Sequence, residues 1–166
     1  MRHAVLYGEY EISIDSKNRA LLPAEIRRAI NPERDGEALF LVVGINRVPW
    51  LYPEKYYEEL VTRDPADITP GDESLAFDQM MFAMAHRLEP DKQGRVLINE
   101  KLLKRLGIEK EVTLIGVNDH LELWDRKAWE RRREELISRS SEIALKAKLA
   151  RVQSRELSRD ERERDK

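Results

Sequence analysis

Ile14-Asp15-Ser16-Lys17-Asn18-Arg19-Ala20-Leu21-Leu22 places an Arg four residues after an Asp, just ahead of a short apolar run. The stretch returns, altered, as Glu89-Pro90-Asp91-Lys92-Gln93-Gly94-Arg95-Val96-Leu97-Ile98. Tyr10 and Ile12 fall where His86 and Leu88 fall in the second copy, at the same shift of 76. Further on, Val43-Gly44-Ile45-Asn46 matches Ile115-Gly116-Val117-Asn118, and Leu51 to Lys55 matches Leu123 to Lys127, both at a shift of 72. The longer Asn31-Pro32-Glu33-Arg34-Asp35-Gly36 loop of the first copy accounts for the difference. The chain is therefore a tandem repeat, and the repeat governs any reading of the fold.

Within each motif the local pattern is physical. Tyr10, Ile12 and Ile14 alternate with Glu9, Glu11, Ser13 and Asp15, the period of a strand with one buried face. Ala20-Leu21-Leu22 begins a second strand, which leaves Ser16-Lys17-Asn18 as a three-residue hairpin connection. Such loops end in a residue at positive φ, where Gly and Asn suffer least. Asn18 takes that place in the first copy and Gly94 in the second. Asp15 and Arg19 then face each other across the turn, close enough to pair, and the Arg is held pointing outward.

Charged residues make up 37% of the chain, hydrophobic residues 41%, and the net charge is only −2. The balance is uneven. Residues 126–166 carry 14 Lys and Arg against 9 Asp and Glu, a net of +5, while residues 1–125 hold 16 against 23, a net of −7. A domain-wide basic footprint for nucleic acid is absent, so any DNA contact rests on a local patch or on many copies. No window approaches the eighteen apolar residues of a membrane span, and the N-terminus lacks a signal-peptide core. The absence of Cys excludes disulfides and thiolate metal sites and fits a reducing, cytoplasmic setting.

Along the chain, Pro23 to Ile30 reads as a short helix ended by Asn31-Pro32, and Ala38 to Val43 as a strand buried on both faces. Trp50-Leu51-Tyr52 is a further strand, and Pro53 opens a helix over Glu54 to Thr62. Arg63 to Glu73, with Pro65, Pro70 and Gly71, is the inter-repeat loop. Ser74 to Ala85 carries Leu75, Phe77, Met80, Met81, Phe82 and Met84, a helix whose broad apolar face suits the core or a subunit interface.

In the second copy Asn99 caps a helix over Glu100 to Leu106 that stops at Gly107. Val112 to Ile115 and Leu121 to Trp124 form a hairpin around Asn118-Asp119. From Asp125 a single helix is expected to Lys166. Trp129, Leu136, Ile143, Ala150 and Leu157 recur by sevens, but Arg133, Ser140, Ala147 and Ser154 at the companion positions deny it a full coiled-coil seam. The chain thus reads as mainly β with short helices, an α+β fold, plus a long C-terminal helix.

A duplicated Asp-x-x-x-Arg hairpin, each copy followed by a short helix and a second hairpin, resembles the MraZ family over roughly residues 7–137. The resemblance implies a pseudo-twofold, AbrB-like swapped-hairpin barrel assembled from the two repeats. Its expected parts are a first repeat over 7–60, a loop and helix over 61–84, a second repeat over 85–130 and a charged helical extension over 131–166. It further implies ring-shaped homo-oligomers that bind double-stranded DNA at short direct repeats in the promoter of the division and cell-wall gene cluster, a nucleoid-associated task. Carried over by position, the DNA-facing motif falls on Asp15, Lys17 and Arg19 and on Asp91, Lys92 and Arg95. Asn99 stands where the first copy has Pro23, Ser74 to Ala85 lacks the Arg residues expected before the second motif, and the tail beyond Ser138 exceeds the family core.

Two readings of the arginines stand side by side. Arg19 and Arg95 suit phosphates or guanine edges, where a planar guanidinium donates two parallel hydrogen bonds. They equally suit a structural salt bridge with Asp15 and Asp91, and a paired Asp also pre-positions an Arg for DNA. Lys17 and Lys92 suit simple charge contacts. An enzyme is not indicated: the chain has His3, His86 and His120, no Cys and no phosphate-cradling glycine loop. Asn118-Asp119-His120 falls in a hairpin turn without a second ligand cluster, so no metal, cofactor or small-molecule substrate is expected. The rival to a DNA-binding repressor is a protein-interaction scaffold or antitoxin-like module.

Overall fold

The computed structural model describes residues 3–63 and 71–164, with side chains as far as Ser154. The chain divides into two units, Met1–Arg126 and Lys127–Lys166. The first is a mixed α/β unit whose strands are all antiparallel. Its first repeat contributes β1 (Glu9–Ser13), β2 (Arg19–Leu21), α1 (Ala24–Ala29), α2 (Pro32–Asp35), β3 (Leu39–Val43), β4 (Pro49–Pro53) and α3 (Glu54–Thr62). After α4 (Asp72–Ala83) the second repeat supplies β5 (His86–Leu88), β6 (Arg95–Leu97), α5 (Glu100–Leu106), β7 (Glu111–Gly116) and β8 (Leu121–Asp125). The centre of the expected inter-repeat loop, residues 64–70, lies outside the described residues.

Pairing crosses between the repeats. Six strands run in the order β1-β7-β8-β4-β3-β5, and β2 pairs with β6 in a separate two-stranded ribbon. By repeat position β1 corresponds to β5 and β3 to β7, so β1 on β7 and β5 on β3 are the same exchange made twice. The β4–β8 and β2–β6 pairs each join a strand to its own counterpart. β1 and β5 remain at the two edges, and the described strands form no closed barrel.

This corrects the expectation that β1 and β2 pair as an ordinary hairpin. Across the turn only the Ile14–Ala20 bridge forms, with Asp15 N–H donating to the Arg19 carbonyl at 2.9 Å. β1 has one half-buried face, Tyr10 and Ile12, and its backbone groups are satisfied by β7 instead. β2 turns away to bury Ala20 against the core.

One hydrophobic core draws on both repeats: Leu22, Ile26, Leu39, Leu41 and Leu51 from the first, Val96, Ile98, Leu102, Leu114 and Leu123 from the second. Ile26 of α1 and Leu102 of α5 hold equivalent repeat positions, and both are buried. A smaller cluster of Val42, Tyr52 and Tyr57 lies on the other face of β3 and β4. β3 and β7 are buried almost throughout, as continuous apolar runs require. Asn99 caps α5 by accepting from the Lys101 and Leu102 N–H groups, and Gly107 ends it at φ +68°.

Three further expectations change. Asn31 to Gly36 is not a plain loop: Asn31 caps the four-residue helix α2, which is the insertion that reduces the repeat shift from 76 to 72. α4 has no fully buried residue: Met81 packs partly buried against the Val42–Tyr52–Tyr57 cluster, while Phe77 and Phe82 are more than half exposed. The second unit is two helices, α6 (Arg126–Ser138) and α7 (Ser140–Arg164), with the break at Arg139. Ile137, Leu145 and Leu149 are exposed there. No described helix is long and apolar enough to cross a membrane.

Candidate nucleic-acid interface

Each Asp of the repeated motif performs two tasks at once. Asp15 Oδ1 accepts from the Lys17 and Arg19 backbone N–H groups, both at 2.9 Å, which closes the turn. Its Oδ2 accepts from Arg19 Nε at 2.8 Å and Nη2 at 2.7 Å. Asp91 repeats the pattern: Oδ1 accepts from Gln93 and Arg95 N–H at 2.9 and 3.0 Å, and Oδ2 from Arg95 Nε and Nη2 at 2.8 and 2.7 Å. Asn18 and Gly94 close the turns at φ +59° and +79°. The Arg19 and Arg95 guanidiniums beside Asp15 and Asp91, together with the turn N–H groups, hold both carboxyls down to about 2.

The ribbon places both arginines on one face. Arg19 lies opposite Leu97, Ala20 opposite Val96 and Leu21 opposite Arg95. Ala20 and Val96 point into the core, so Arg19, Leu21, Arg95 and Leu97 share the outer face. Further bonds extend the ribbon at both ends, Leu22 N–H to the Gly94 carbonyl at 3.0 Å and Ile98 N–H to the Asn18 carbonyl at 2.9 Å. A rigid two-stranded platform carrying two oriented guanidiniums results.

The two halves carry the same charges in different arrangements. Arg19 uses its Nε–Nη2 edge on Asp15 and keeps the Nη1–Nη2 edge for an outside acceptor. Arg95 Nη2 also donates to Gln93 Oε1, which occupies part of that second edge. Lys17 and Lys92 are both exposed, yet they hold different turn positions: Lys17 is equivalent to Gln93, and Ser16 to Lys92.

Arg27 was not expected at this site. Its side chain lies over Gly94, in the space that a Cβ there would fill, while its Nε donates to the Leu22 carbonyl at 3.1 Å. A helix residue of the first repeat thus supplies a cation beside the second hairpin. The signal was invisible in sequence because Leu103 stands at the equivalent position of the second repeat.

Away from the ribbon, the Asn118-Asp119-His120 turn is exposed at Asn118, half-buried at Asp119 and buried at His120. His120 Nδ1 lies 2.7 Å from Asp119 Oδ1, and Asp119 Oδ2 accepts from the Tyr56 hydroxyl at 2.8 Å. The imidazole packs against Trp50 and Tyr52, with ring centres 4.6 and 5.1 Å away. His120 Nε2 is 3.5 Å from Glu122 Oε1, at the outer limit of a hydrogen bond. Among the described residues, no three His, Cys, Asp or Glu side chains gather as metal ligands.

The chain has relatives in sequence. A family model described as "MraZ protein, putative antitoxin-like" matches residues 81–152. The transcriptional regulator MraZ of Acetivibrio thermocellus is 33% identical over 126 residues, covering 76% of this chain and 85% of the relative. The chain belongs to the MraZ family. The transcriptional regulator MraZ of Heliobacterium modesticaldum is 31% identical over 139 residues, covering 84% of this chain and 94% of that one. Its Clostridium tetani counterpart is 32% identical over 123 residues, covering 74% and 83%.

Proposed function

We propose that this MraZ-family chain is a DNA-binding transcriptional regulator, a repressor that acts as a homo-oligomeric ring on direct repeats upstream of its own division and cell-wall gene cluster. The relatives' shared name, transcriptional regulator, supports the general role. The observation that carries the reading is the pair of matching Asp–Arg hairpins joined in one ribbon, with both guanidiniums on its outer face. Lys17, Arg19, Lys92 and Arg95 make the DNA contacts, and Asp15 and Asp91 position the arginines. A carboxylate would repel phosphate, so the Asp residues act through the Arg they hold. The crossed strand pairing supports a pseudo-twofold, AbrB-like swapped-hairpin arrangement of residues 7–60 and 85–130, with residues 61–84 joining them and 131–166 extending beyond. The protein works in the cytoplasm, on the nucleoid, without a catalytic step.

Few cations per subunit give weak binding alone, and residues 1–125 are net acidic. A ring that presents several ribbons to successive repeats multiplies them through effective concentration. Affinity then falls with salt by about 0.9 log units per phosphate neutralised.

The test is fluorescence-anisotropy binding of the full chain to the DNA upstream of its gene cluster. Wild type and Arg19→Ala/Arg95→Ala are compared across a salt series, with light scattering to confirm one oligomeric size. Saturable, repeat-dependent binding that the double variant loses is the expected result. Equal binding by both proteins, or no preference over scrambled DNA, would make the pairs structural and put the interaction-scaffold or antitoxin-like reading first.

A further inference from the structure

Leu21 and Leu97 are exposed aliphatic residues on the outer face of the ribbon. They are 49% and 62% exposed, whereas the strand neighbours Ala20 and Val96 are 2% and 1% exposed. They hold equivalent repeat positions, and each faces the other repeat's arginine: Leu97 opposite Arg19, Leu21 opposite Arg95. The bonds from Leu22 N–H to Gly94 and from Ile98 N–H to Asn18 make Ala20–Val96 the hydrogen-bonded pair of the ribbon. Arg19–Leu97 and Leu21–Arg95 are then the closely spaced, non-hydrogen-bonded pairs, with Cα atoms about 4.5 Å apart. The outer face therefore carries two Arg–Leu couples related by the repeat, side by side on a platform whose inner face is locked into the core.

We infer that Leu21 and Leu97 read the 5-methyl groups of thymines in the major groove, beside the base pairs that Arg19 and Arg95 address. This rests on the proposed DNA-binding function and deepens it. The groove admits a two-stranded β-ribbon, and the thymine methyl is the apolar group on its floor. Two cationic forks commit the face to an anionic partner, and the bare leucines beside them need an apolar feature on that same partner. Phosphate and sugar offer the leucines nothing comparable, and the minor groove presents no methyl group. The leucines thus give sequence information where the arginines alone would mix phosphate and guanine contacts.

The test uses the full-length protein and the upstream fragment amplified with either dTTP or dUTP, so that every thymine methyl is kept or removed while base pairing is preserved. Burying one methyl is worth about 0.8 kcal/mol, or about fourfold in affinity. Wild type is expected to bind the uracil fragment roughly fifteenfold more weakly if one methyl meets each leucine. Leu21→Ala/Leu97→Ala should bind both fragments alike, with a salt slope unchanged from wild type. Wild type that prefers the upstream fragment yet binds its thymine and uracil forms equally would overturn the inference alone. Wild type with no preference for the upstream fragment overturns the DNA-binding reading beneath it. A change in oligomeric size by light scattering in the leucine variant assigns the leucines to a subunit contact and also overturns the inference.

Discussion

The Asn18 carbonyl accepts a hydrogen bond from the Ile98 N–H at 2.9 Å, which ties the turn of the first hairpin to the strand that follows the second. The reciprocal tie runs from Leu22 N–H to the Gly94 carbonyl. The turns are equivalent in conformation, and at Gly94 the Arg27 side chain lies over the backbone. Gly94→Val adds a β-branched residue at φ +79° and displaces Arg27, for a loss of about 1–2 kcal/mol in urea unfolding. Asn18→Gly should change stability by only a few tenths of that. Equal losses at both positions would refute the assigned turn geometry.

Asp15 and Asp91 sit near a pKa of 2, chiefly because of the Arg side-chain hydrogen bonds. A carboxylate with a lowered folded value contributes fully above its unfolded value of about 3.9 and loses that contribution as pH falls toward 2. The hairpins should hold their geometry from pH 7 to 4 and loosen between 4 and 2. NMR titration of the carboxyl carbons should find Asp15 moving up toward 3.9 in Arg19→Ala while Asp91 stays low. An unmoved Asp15 would show that the turn N–H groups, not the Arg, set its value.

His120 titrates in the opposite sense. Burial alone would depress it, but the nearby Glu122 carboxylate and the hydrogen bond to Asp119 prevail and hold it above the usual histidine value. Tyr52 and Trp50 of β4 face the ring, and Tyr56 of α3 reaches Asp119. Burial pushes the Tyr52 hydroxyl well above the usual tyrosine value, so it stays neutral throughout. The charged imidazole therefore contributes below about pH 6.5 and is lost as pH rises through the raised value. Tm should drop between pH 6 and 9 in wild type, and His120→Gln should flatten that slope.

Asp35 has a fully buried side chain yet remains ionised, because Arg34 and the N–H groups of Ala4 and Asn31 all donate to it. Asp35→Ala leaves two amides without their acceptor and the half-exposed Arg34 with only the Ala29 carbonyl, which costs about 2–3 kcal/mol by chemical denaturation. Asp35→Asn keeps part of the network and should cost less. A loss under about 1 kcal/mol for the alanine would mean that α2 contributes little to the fold.

α4 has the opposite character, with apolar side chains left outside. If the proposed ring uses this helix between subunits, Phe77→Ser/Phe82→Ser should reduce the oligomeric mass in light scattering while leaving the unfolding midpoint of the subunit nearly unchanged. An unchanged mass removes α4 from the subunit contact.

Much of the local structure was readable residue by residue. The strand over Glu9–Ser13, the Asn18 and Gly94 turns, the Asn99 cap and the Gly107 stop each depend on alternation, left-handed tolerance or a side chain that caps an N–H a few residues away. The repeat itself, and with it the equivalence of Arg19 with Arg95, lay in spacing alone. Arg27 and the Arg19–Leu97 and Leu21–Arg95 couples were not readable, because their surroundings are built from residues of the other repeat. Asn31 to Gly36 looked like loop because a four-residue helix is too short for periodicity to register.

By itself, then, the sequence determined most of the strands, turns and helices, α2 and the break at Arg139 excepted, and that they come in two copies. Tertiary structure alone decided which strands meet. β1 could have paired with β2 beside it; it pairs with β7 of the other repeat, and β5 makes the same exchange with β3. Turn chemistry acts over a few bonds and is written where it acts. Strand partnership is settled by burying both repeats' apolar faces in one core while every buried N–H finds an acceptor, a condition on the whole chain.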